Sequence, residues 1–207
     1  MLLVDLDLGM RNLDLYLGLE NKVVYNVMDI FSGTCNISRA LIQDARFQNL
    51  SFLSACPRRD NRDVTPLHME VLCDRMKNNF DYILLDCPAG IGEGVDIALA
   101  VAHKALLVSE PDVAAVRDAD VLNRYLLAQR FKKTHYIINK VRSQYIEQGM
   151  LMNVKQISEM INSQLIGIIP EDDNIYLSTN KGIPISMKQG SYIEKNLSNI
   201  LNRLLER

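Results

Sequence analysis

Acidic residues follow two apolar segments that have the character of β-strands. Asp5 comes directly after residues 2–4, Asp7 follows two positions later, and Asp86 comes directly after residues 82–85. An aspartate at the end of a buried strand is held rigidly and can bind magnesium through a water molecule. Asp5 and Asp7, two residues apart, would point to the same side of a strand. The pattern favours a magnesium site, and the alternative, in which Asp86 only ends a strand and begins a turn, stays open.

The segment after Asp86 is rich in small residues. Pro88-Ala89-Gly90 predicts a turn whose backbone amides can approach a phosphate group. The run from Gly90 to Gly94, G-I-G-E-G, also has the spacing of a dinucleotide fingerprint between a strand and a helix. That fingerprint needs a glycine at position 95, where Val95 stands, and Pro88 occupies the turn. A nicotinamide-dependent enzyme is therefore disfavoured.

No phosphate-binding loop accompanies these acids. The P-loop pattern G-x-x-x-x-G-K-[ST] occurs nowhere in the 207 residues. The one Lys-Thr pair, Lys133-Thr134, lacks the preceding glycines. Residues suited to magnesium and to a catalytic water are thus present without the loop that would hold the phosphates.

Composition narrows the class of protein. Hydrophobic residues make up 48% and charged residues 23% of the chain, the balance of a soluble globular domain. A net charge of −2 gives no bulk attraction to nucleic acid or to an anionic membrane. The basic cluster Arg58, Arg59 and Arg62 is interleaved with Asp60 and Asp63, as in a solvated loop. The four cysteines form no C-x-x-C pair and the three histidines are scattered, so we expect no zinc site.

Strand-like and helix-like segments alternate along the chain. Continuous apolar runs, typical of strands buried on both faces, occupy residues 2–4, 50–53, 82–85, 105–108, 136–138 and 166–169. Helices are predicted at 65–79, 113–130 and 154–161, and a last one carries an apolar face from Ile193 to Leu204. The alternation predicts an α/β fold with a mainly parallel sheet, in a single domain over residues 1–207.

Five segments resemble the MinD family of ParA/MinD-type ATPases, in the same order over nearly the whole chain. They are LVDLDLGMRNLDLYLGLEN (3–21), similar to the family's switch I, DCPAGIG (86–92), similar to its switch II, VRDAD (116–120), GIIPED (167–172) and STNKGIP (178–184). Arg11-Asn12-Leu13-Asp14 is the most specific part, because flagellar-number relatives and plasmid-partition ParA proteins differ there. The resemblance implies a P-loop NTPase-like three-layer sandwich.

The resemblance also implies roles for the acids. Asp7 matches the aspartate that positions the attacking water. Asp5 and Asp86 match the acids that hold magnesium through water, and Gly90 matches a glycine near the γ-phosphate. Hydrolysis of ATP to ADP and phosphate would follow from in-line attack by that water.

Two further sets of residues match family sites. The adenine base would be met by Asn139, Pro170, Glu171 and Asp172. The partner proteins MinC and MinE would bind a helix surface formed by Arg117, Asp118 and Asp120. For that surface the alternative, a merely solvated helix face, stays open.

The resemblance implies an ATP- and magnesium-dependent homodimer that places the bacterial division septum together with MinC-like and MinE-like proteins. The family protein is cytoplasmic and peripheral at the inner face of the membrane, which it meets through a C-terminal amphipathic helix; no nucleic acid is expected as a partner. That helix has no counterpart here. Neither do the family's first strand, Walker A loop and first helix, together about 30 to 35 residues. In the family that first strand lies beside the one ending at Asp86, so we expect an unpaired strand edge and a chain that is inactive alone.

Two other functions stay open on the sequence. The chain could be a non-catalytic binding module derived from the same family, retaining the partner helix without turnover. It could also be a flagellar-number or partition ParA-type ATPase, against which the neutral overall charge and the Arg11–Asp14 motif speak.

Overall fold

The computed structural model describes residues 1–8, 10–57, 64–131 and 133–206. The basic cluster Arg58, Arg59 and Arg62 lies outside these residues. The chain divides into two compact units, which we call the first unit (Met1–Ala102 with Asn180–Ile183) and the second unit (His103–Thr179 with Pro184–Arg207). The single domain over residues 1–207 stays a prediction.

The first unit is built on a four-stranded sheet of order β2-β3-β1-β4. Its strands are β1 (Leu2–Asp5), β2 (Ile42–Gln43), β3 (Ser51–Leu53) and β4 (Ile83–Asp86). β1 pairs in parallel with both β3 and β4, whereas β2 pairs antiparallel with β3. Three of these strands lie where the apolar runs predict them, and β2 is too short to leave a recognisable run.

Five helices surround this sheet within the described part of the first unit. They are α1 (Leu13–Leu17), α2 (Val27–Phe31), α3 (Ile37–Ala40), α4 (Pro66–Met76) and α5 (Glu93–Leu99). α4 begins as the sequence predicts, because the Thr65 side chain caps the helix and Pro66 takes its first position. Its buried residues Met69 and Leu72 belong to the same core cluster as Leu2 and Val4 of β1. The sheet that carries the acids is therefore held by an apolar core.

The second unit contains a three-stranded parallel sheet of order β5-β6-β7. The strands are β5 (Ala105–Ser109), β6 (Thr134–Val141) and β7 (Gln164–Pro170), and the helices are α6 (Val113–Ala128), α7 (Ser143–Glu147), α8 (Val154–Met160), α9 (Asp173–Asn180) and α10 (Tyr192–Leu204). α10 packs closely on β7, since a Cβ at Gly167 would lie 2.2 Å from Cγ1 of Ile200. No helix among the described residues is both long and apolar enough to span a bilayer.

Each sheet ends on a strand that pairs on one side only, as far as the described residues go. β4 pairs with β1 alone, and β5 pairs with β6 alone. Leu84 in β4 is 46% exposed and Val108 in β5 is 57% exposed, although strands of parallel sheets are usually buried on both faces. The predicted α/β class with parallel pairing is confirmed.

Candidate functional site

Two carboxylates lie side by side at the carboxyl end of the first unit's sheet. Asp5 is the last residue of β1, Asp86 is the last residue of β4, and the two are direct partners in the parallel ladder. The amide of Leu6 donates to the carbonyl oxygen of Asp86 at 2.9 Å, so the pairing continues one step beyond the strands. Because neighbouring strands run about 4.8 Å apart, side chains from paired positions emerge close together on one face.

Asp5 is the more constrained of the two acids. The residue is 1% exposed, its Oδ1 accepts a hydrogen bond from the Asp7 amide at 2.9 Å, and its Oδ2 is buried without a hydrogen-bond partner in the described chain. Burial is the main cause that raises the pKa of Asp5 to about 6, and the charges of Asp86 and Asp7 add to it. Among the residues that the structure describes, Asp5 therefore has no positively charged partner.

Asp7 lies in the turn that leads from β1 to α1. Its carbonyl oxygen accepts hydrogen bonds from the amides of Met10 and Arg11, each at 3.2 Å. The residue is half-buried. Desolvation at the crowded strand end raises the pKa of the exposed Asp86, and the Asp7 carboxylate raises it further. Asp7 thus lies near both strand-end acids while keeping access to solvent.

The turn after β4 has a backbone that only glycine adopts easily. Gly90 has a φ of +88°, and a Cβ built there would meet no atom within 4 Å, so this glycine is needed for its conformation and leaves open space beside it. A Cβ at Gly94 would lie 2.5 Å from Cγ of Pro88, so the turn packs tightly on α5. Desolvation, with help from Asp86, raises the pKa of the Cys87 thiol to about 11 and keeps it protonated.

The donor set at the strand ends fits a magnesium ion. No group of three or more His, Cys, Asp or Glu side chains suited to a metal occurs within residues 1–8, 10–57, 64–131 and 133–206. Magnesium does not require such a group, because it keeps several waters and commonly takes only one or two protein carboxylates. The unpartnered oxygen of Asp5 and the repulsion between Asp5 and Asp86 are features that a cation would relieve. For phosphate groups, the 207 residues contain no matching P-loop.

The second unit places Asn139 in a β-bulge. The ladder between β6 and β7 shifts register once between Tyr136 and Ile137 and again after Ile138, and it resumes with Val141 opposite Pro170. Lys140, inside the bulge, has a φ of +52°, and its Nζ lies 2.5 Å from Oε1 of Glu110. Bulges re-aim side chains and often flank functional sites. The Asn139 side chain is half-buried and forms no hydrogen bond to the described residues.

Glu171 and Asp172 are already engaged by neighbouring side chains. Arg142 pairs with Glu171, with Nη2 at 2.6 Å from Oε1. Asp172 accepts hydrogen bonds from the Tyr192 hydroxyl and, at 2.7 Å each, from the backbone and side-chain nitrogens of Asn174. The Tyr192 hydrogen bond is the first of the contacts that hold the pKa of Asp172 below its usual value. These two acids therefore shape the loop after β7, whereas Asn139 keeps a free amide.

Helix α6 carries the three residues assigned to partner binding. Arg117 and Asp118 are exposed, but Asp120 is only 6% exposed and pairs with Arg124, whose side chain is 74% exposed. The helix surface therefore presents Arg124 where the sequence suggests Asp120. The roles of all the assigned residues stay predictions.

Sequence reasoning missed Arg124 and Lys140. The sequence could have indicated the role of Arg124, because Asp120 and Arg124 are four residues apart on a predicted helix, a spacing that favours an ion pair. No sequence signal predicted the conformation of Lys140, because lysine does not typically adopt a positive φ.

We expect Asp5→Asn to stabilise the 207-residue chain at neutral pH. A carboxyl whose pKa rises from 3.8 in the unfolded chain to about 6 in the fold destabilises it progressively as pH increases through that range. The full effect, about 3 kcal/mol, is reached above pH 6. Urea denaturation at pH 4.5 and 7.5 should therefore show a free energy of unfolding that falls with pH in the parent and much less in Asp5→Asn.

The matched control is Asp44→Asn. Asp44 is also 1% exposed, but the Arg46 side chain holds its pKa below the usual value. This substitution should destabilise the chain at pH 7.5. A loss of stability in Asp5→Asn at pH 7.5 as large as in Asp44→Asn would contradict the assignment of a strained carboxylate.

Comparisons with known proteins agree in one family. A MinD-type septum site-determining protein of Guillardia theta is 42% identical over 196 residues, covering 95% of this chain and 71% of that protein. The chain spans 60% to 71% of the length of such relatives. No family-level sequence model matches the chain.

Solved structures give the same result. The chain is similar to a MinC:MinD cell division protein complex of Aquifex aeolicus, with a TM-score of 0.89, 34% identity, and coverage of 100% of this chain and 83% of that one. The septum site-determining protein MinD of Pyrococcus horikoshii OT3, complexed with Mg-ADP, has a TM-score of 0.82 at 24% identity, covering 98% and 82%, a likeness of fold.

Proposed function

The chain belongs to the MinD family, and we propose that it acts in placing the division septum as an ATP-dependent dimerising switch. The observation that carries the proposal is the pairing of Asp5 with Asp86 in register, with Asp7 beside them. Three acids at the carboxyl end of a parallel sheet suit a magnesium-dependent site. The relatives' name as septum site-determining proteins supports the biological role.

Asp5 and Asp86 would hold magnesium through water. The ion, when bound, supplies positive charge that neutralises developing negative charge on phosphate oxygens. Asp7 would orient a water molecule with its carboxylate, and its half-buried position in the turn after β1, close to both acids, supports this role. Gly90 would let main-chain amides approach the phosphates, since no atom of the described residues lies within 4 Å of a Cβ built there.

The base would be read by Asn139 and packed by Pro170. The bulge before Val141 and the positive φ of Lys140 set the direction of the strand end that carries Asn139. Its amide offers both a donor and an acceptor, the pattern needed to recognise an adenine edge. Glu171 and Asp172 would act indirectly, by fixing the loop through Arg142 and Tyr192.

The partners would be MinC-like and MinE-like proteins, bound on the exposed side of α6. That surface combines the charged Arg117 and Asp118 with Val113 and Val121, which are exposed apolar residues. Mixed apolar and charged surfaces of this type are common in protein interfaces. The MinC:MinD complex of Aquifex aeolicus supports MinC as a partner. Homodimerisation with ATP and peripheral membrane association complete the proposed cycle.

A non-catalytic binding module is the second candidate. The observation that favours it is that the exposed face of α6 lies within one helix of the second unit and needs no nucleotide site to form. Such a module would bind MinC through α6 without any nucleotide, whereas the switch would bind MinC only in its ATP state.

We expect MinC to bind a completed chain, with a family N-terminal segment placed before Leu2, only when Mg-ATP is present. Calorimetry with MinC of a relative would measure the affinity of the completed chain, with and without ATP, and of the 207-residue chain. Arg117→Glu should weaken the ATP-dependent complex about tenfold or more, because it reverses a charge in the interface. Lys155→Glu, at another exposed helix position of the second unit, should have no effect.

Each outcome separates the candidates. If the completed chain binds MinC equally with and without ATP, and the 207-residue chain binds MinC with the same affinity, the protein is the binding module instead. No MinC binding under any condition would remove the division-site role.

A further inference from the structure

Arg46 lies where three segments of the first unit meet. Its guanidinium donates from Nε and Nη2 to the Asp44 carboxylate at 2.9 and 2.6 Å, from Nη1 to the carbonyl of Gly182 at 2.8 Å, and from Nη2 to the carbonyl of Leu17. Leu17 ends α1, and Gly182 belongs to Asn180–Ile183, a part of the same compact unit. One side chain therefore ties α1 to a segment far away in the sequence.

The pair formed with Asp44 fixes the guanidinium in place. Asp44 is 1% exposed, and its two carboxylate oxygens accept three hydrogen bonds from Arg46, one of them from the Arg46 amide at 2.9 Å. These contacts are the main cause that lowers the pKa of Asp44. Because Nε and Nη2 both bind Asp44, the plane of the guanidinium is fixed, and a further N–H of Nη2 and one of Nη1 are directed at Leu17 and Gly182.

The two tied segments also touch through their backbones. Gly18, the residue after α1, has a φ of +63°, and Gly182 has a φ of +62°. A Cβ at Gly182 would lie 2.6 Å from Cα of Gly18, and a Cβ at Gly18 would lie 2.8 Å from the oxygen of Gly182. Both positions need glycine, because the φ is positive and the backbones are in close contact. A displacement of residues 180–183 would therefore displace the end of α1 as well.

We propose that Arg46 is a positioning residue that couples residues 180–183 to α1, and through α1 to the turn that carries Asp7. α1 has five residues, which is too short a helix to hold its place without tertiary contacts. At its start, Arg11 pairs with the fully buried Asp14 at 2.7 Å, and at its end Arg46 supplies the second anchor. The effect on turnover rests on the proposed function, whereas the coupling can be measured without any nucleotide.

The decisive variant is Arg46→Lys in the 207-residue chain. Lysine keeps the charge beside Asp44 but has a single nitrogen, so it cannot reach Asp44, Leu17 and Gly182 together. The amides of Gly18 and Leu19, which donate to Leu15 and Asp14, should exchange with deuterium about tenfold faster or more. NMR order parameters of Lys181 and Gly182 should fall in the same variant.

The reverse perturbation starts from the other segment. Gly182→Ala should push the backbone of Gly18 away and accelerate exchange at Gly18 and Leu19 as well. Gly33→Ala is its matched control, because Gly33 has a similar φ of +73° but no atom within 4 Å of an added Cβ. Arg39→Lys is the control for Arg46→Lys, since Arg39 lies over the ring of Tyr25 and not at α1.

The double variant, Arg46→Lys with Gly182→Ala, tests whether the two residues act on α1 through the same contact. If Arg46 and Gly182 act on α1 together, the double variant should accelerate exchange less than the product of the two single effects. Unchanged exchange at Gly18 and Leu19 in Arg46→Lys would overturn the proposal. So would a uniform acceleration that also reaches the core amides of β1, because that pattern means general destabilisation. Coupling without any change of turnover in the completed chain would leave the coupling standing and contradict only its link to ATP hydrolysis.

Discussion

The 207-residue chain is expected to bind ATP about ten-thousand-fold more weakly than the same chain completed with a family N-terminal segment before Leu2. A P-loop supplies several amides and a lysine to the phosphates, and each charge-assisted hydrogen bond contributes about 1.5–3 kcal/mol. Without four of them the loss is at least about 6 kcal/mol, and every 1.4 kcal/mol is about tenfold in affinity. Calorimetry with Mg-ATP on both proteins measures the difference, and ATP turnover should appear only in the completed protein.

A graft whose P-loop lysine is replaced by alanine is the control for this comparison. It should restore the strand beside β4 without restoring strong nucleotide binding. Micromolar ATP affinity in the 207-residue chain would show that its own residues hold the phosphates. The assignment of phosphate binding to the grafted P-loop would then be wrong.

In the completed chain, Asp7→Ala should reduce ATP turnover about a hundredfold or more while leaving ATP affinity nearly unchanged. The reason is that Asp7 is assigned to the attacking water and not to magnesium, and such positioned groups contribute about 10²–10⁴ in rate. Asp86→Ala should weaken magnesium-dependent ATP binding as well as turnover, because Asp86 pairs in register with Asp5 at the proposed magnesium site. Phosphate release and calorimetry on the two variants separate these roles.

Asp74→Ala is the matched control for both substitutions. Asp74 is an exposed aspartate on α4 that pairs with Lys77, so its loss should alter neither quantity. An Asp7→Ala protein that hydrolyses ATP at the parent rate would remove the role given to Asp7. Weakened binding in Asp7→Ala equal to that in Asp86→Ala would place Asp7 on the metal instead.

Much of the fold was readable because parallel strands leave continuous apolar runs. All six predicted strands are present, and the helix predicted from Thr65 and Pro66 begins there. The ends were less accurate: α4 stops at Met76 rather than near residue 79, and β6 runs from Thr134 to Val141 rather than over three residues. Helix ends and strand ends depend on tertiary contacts and turn geometry that a local pattern does not contain.

The site was predictable only in part, for a different reason. The strand-end acids could be placed because a parallel sheet brings the carboxyl ends of its strands to one edge. The buried state of Asp120 and the engagement of Asp172 could not, since they depend on which face of a helix packs and on Tyr192, twenty residues further along. The positions held by Arg46 follow from long-range contacts, and no short sequence pattern records them.

The register between β1 and β4 makes the distance between the two acids a property of the main chain. A slip of one residue would set Asp5 opposite Leu85 and turn the acids to different faces of the sheet. What keeps the strands in phase is their apolar packing, including Val4, which is fully buried. Preservation of this site over generations therefore depends also on core residues that never contact a ligand. A lineage could lose it by substitutions in the core while both aspartates remain in the gene.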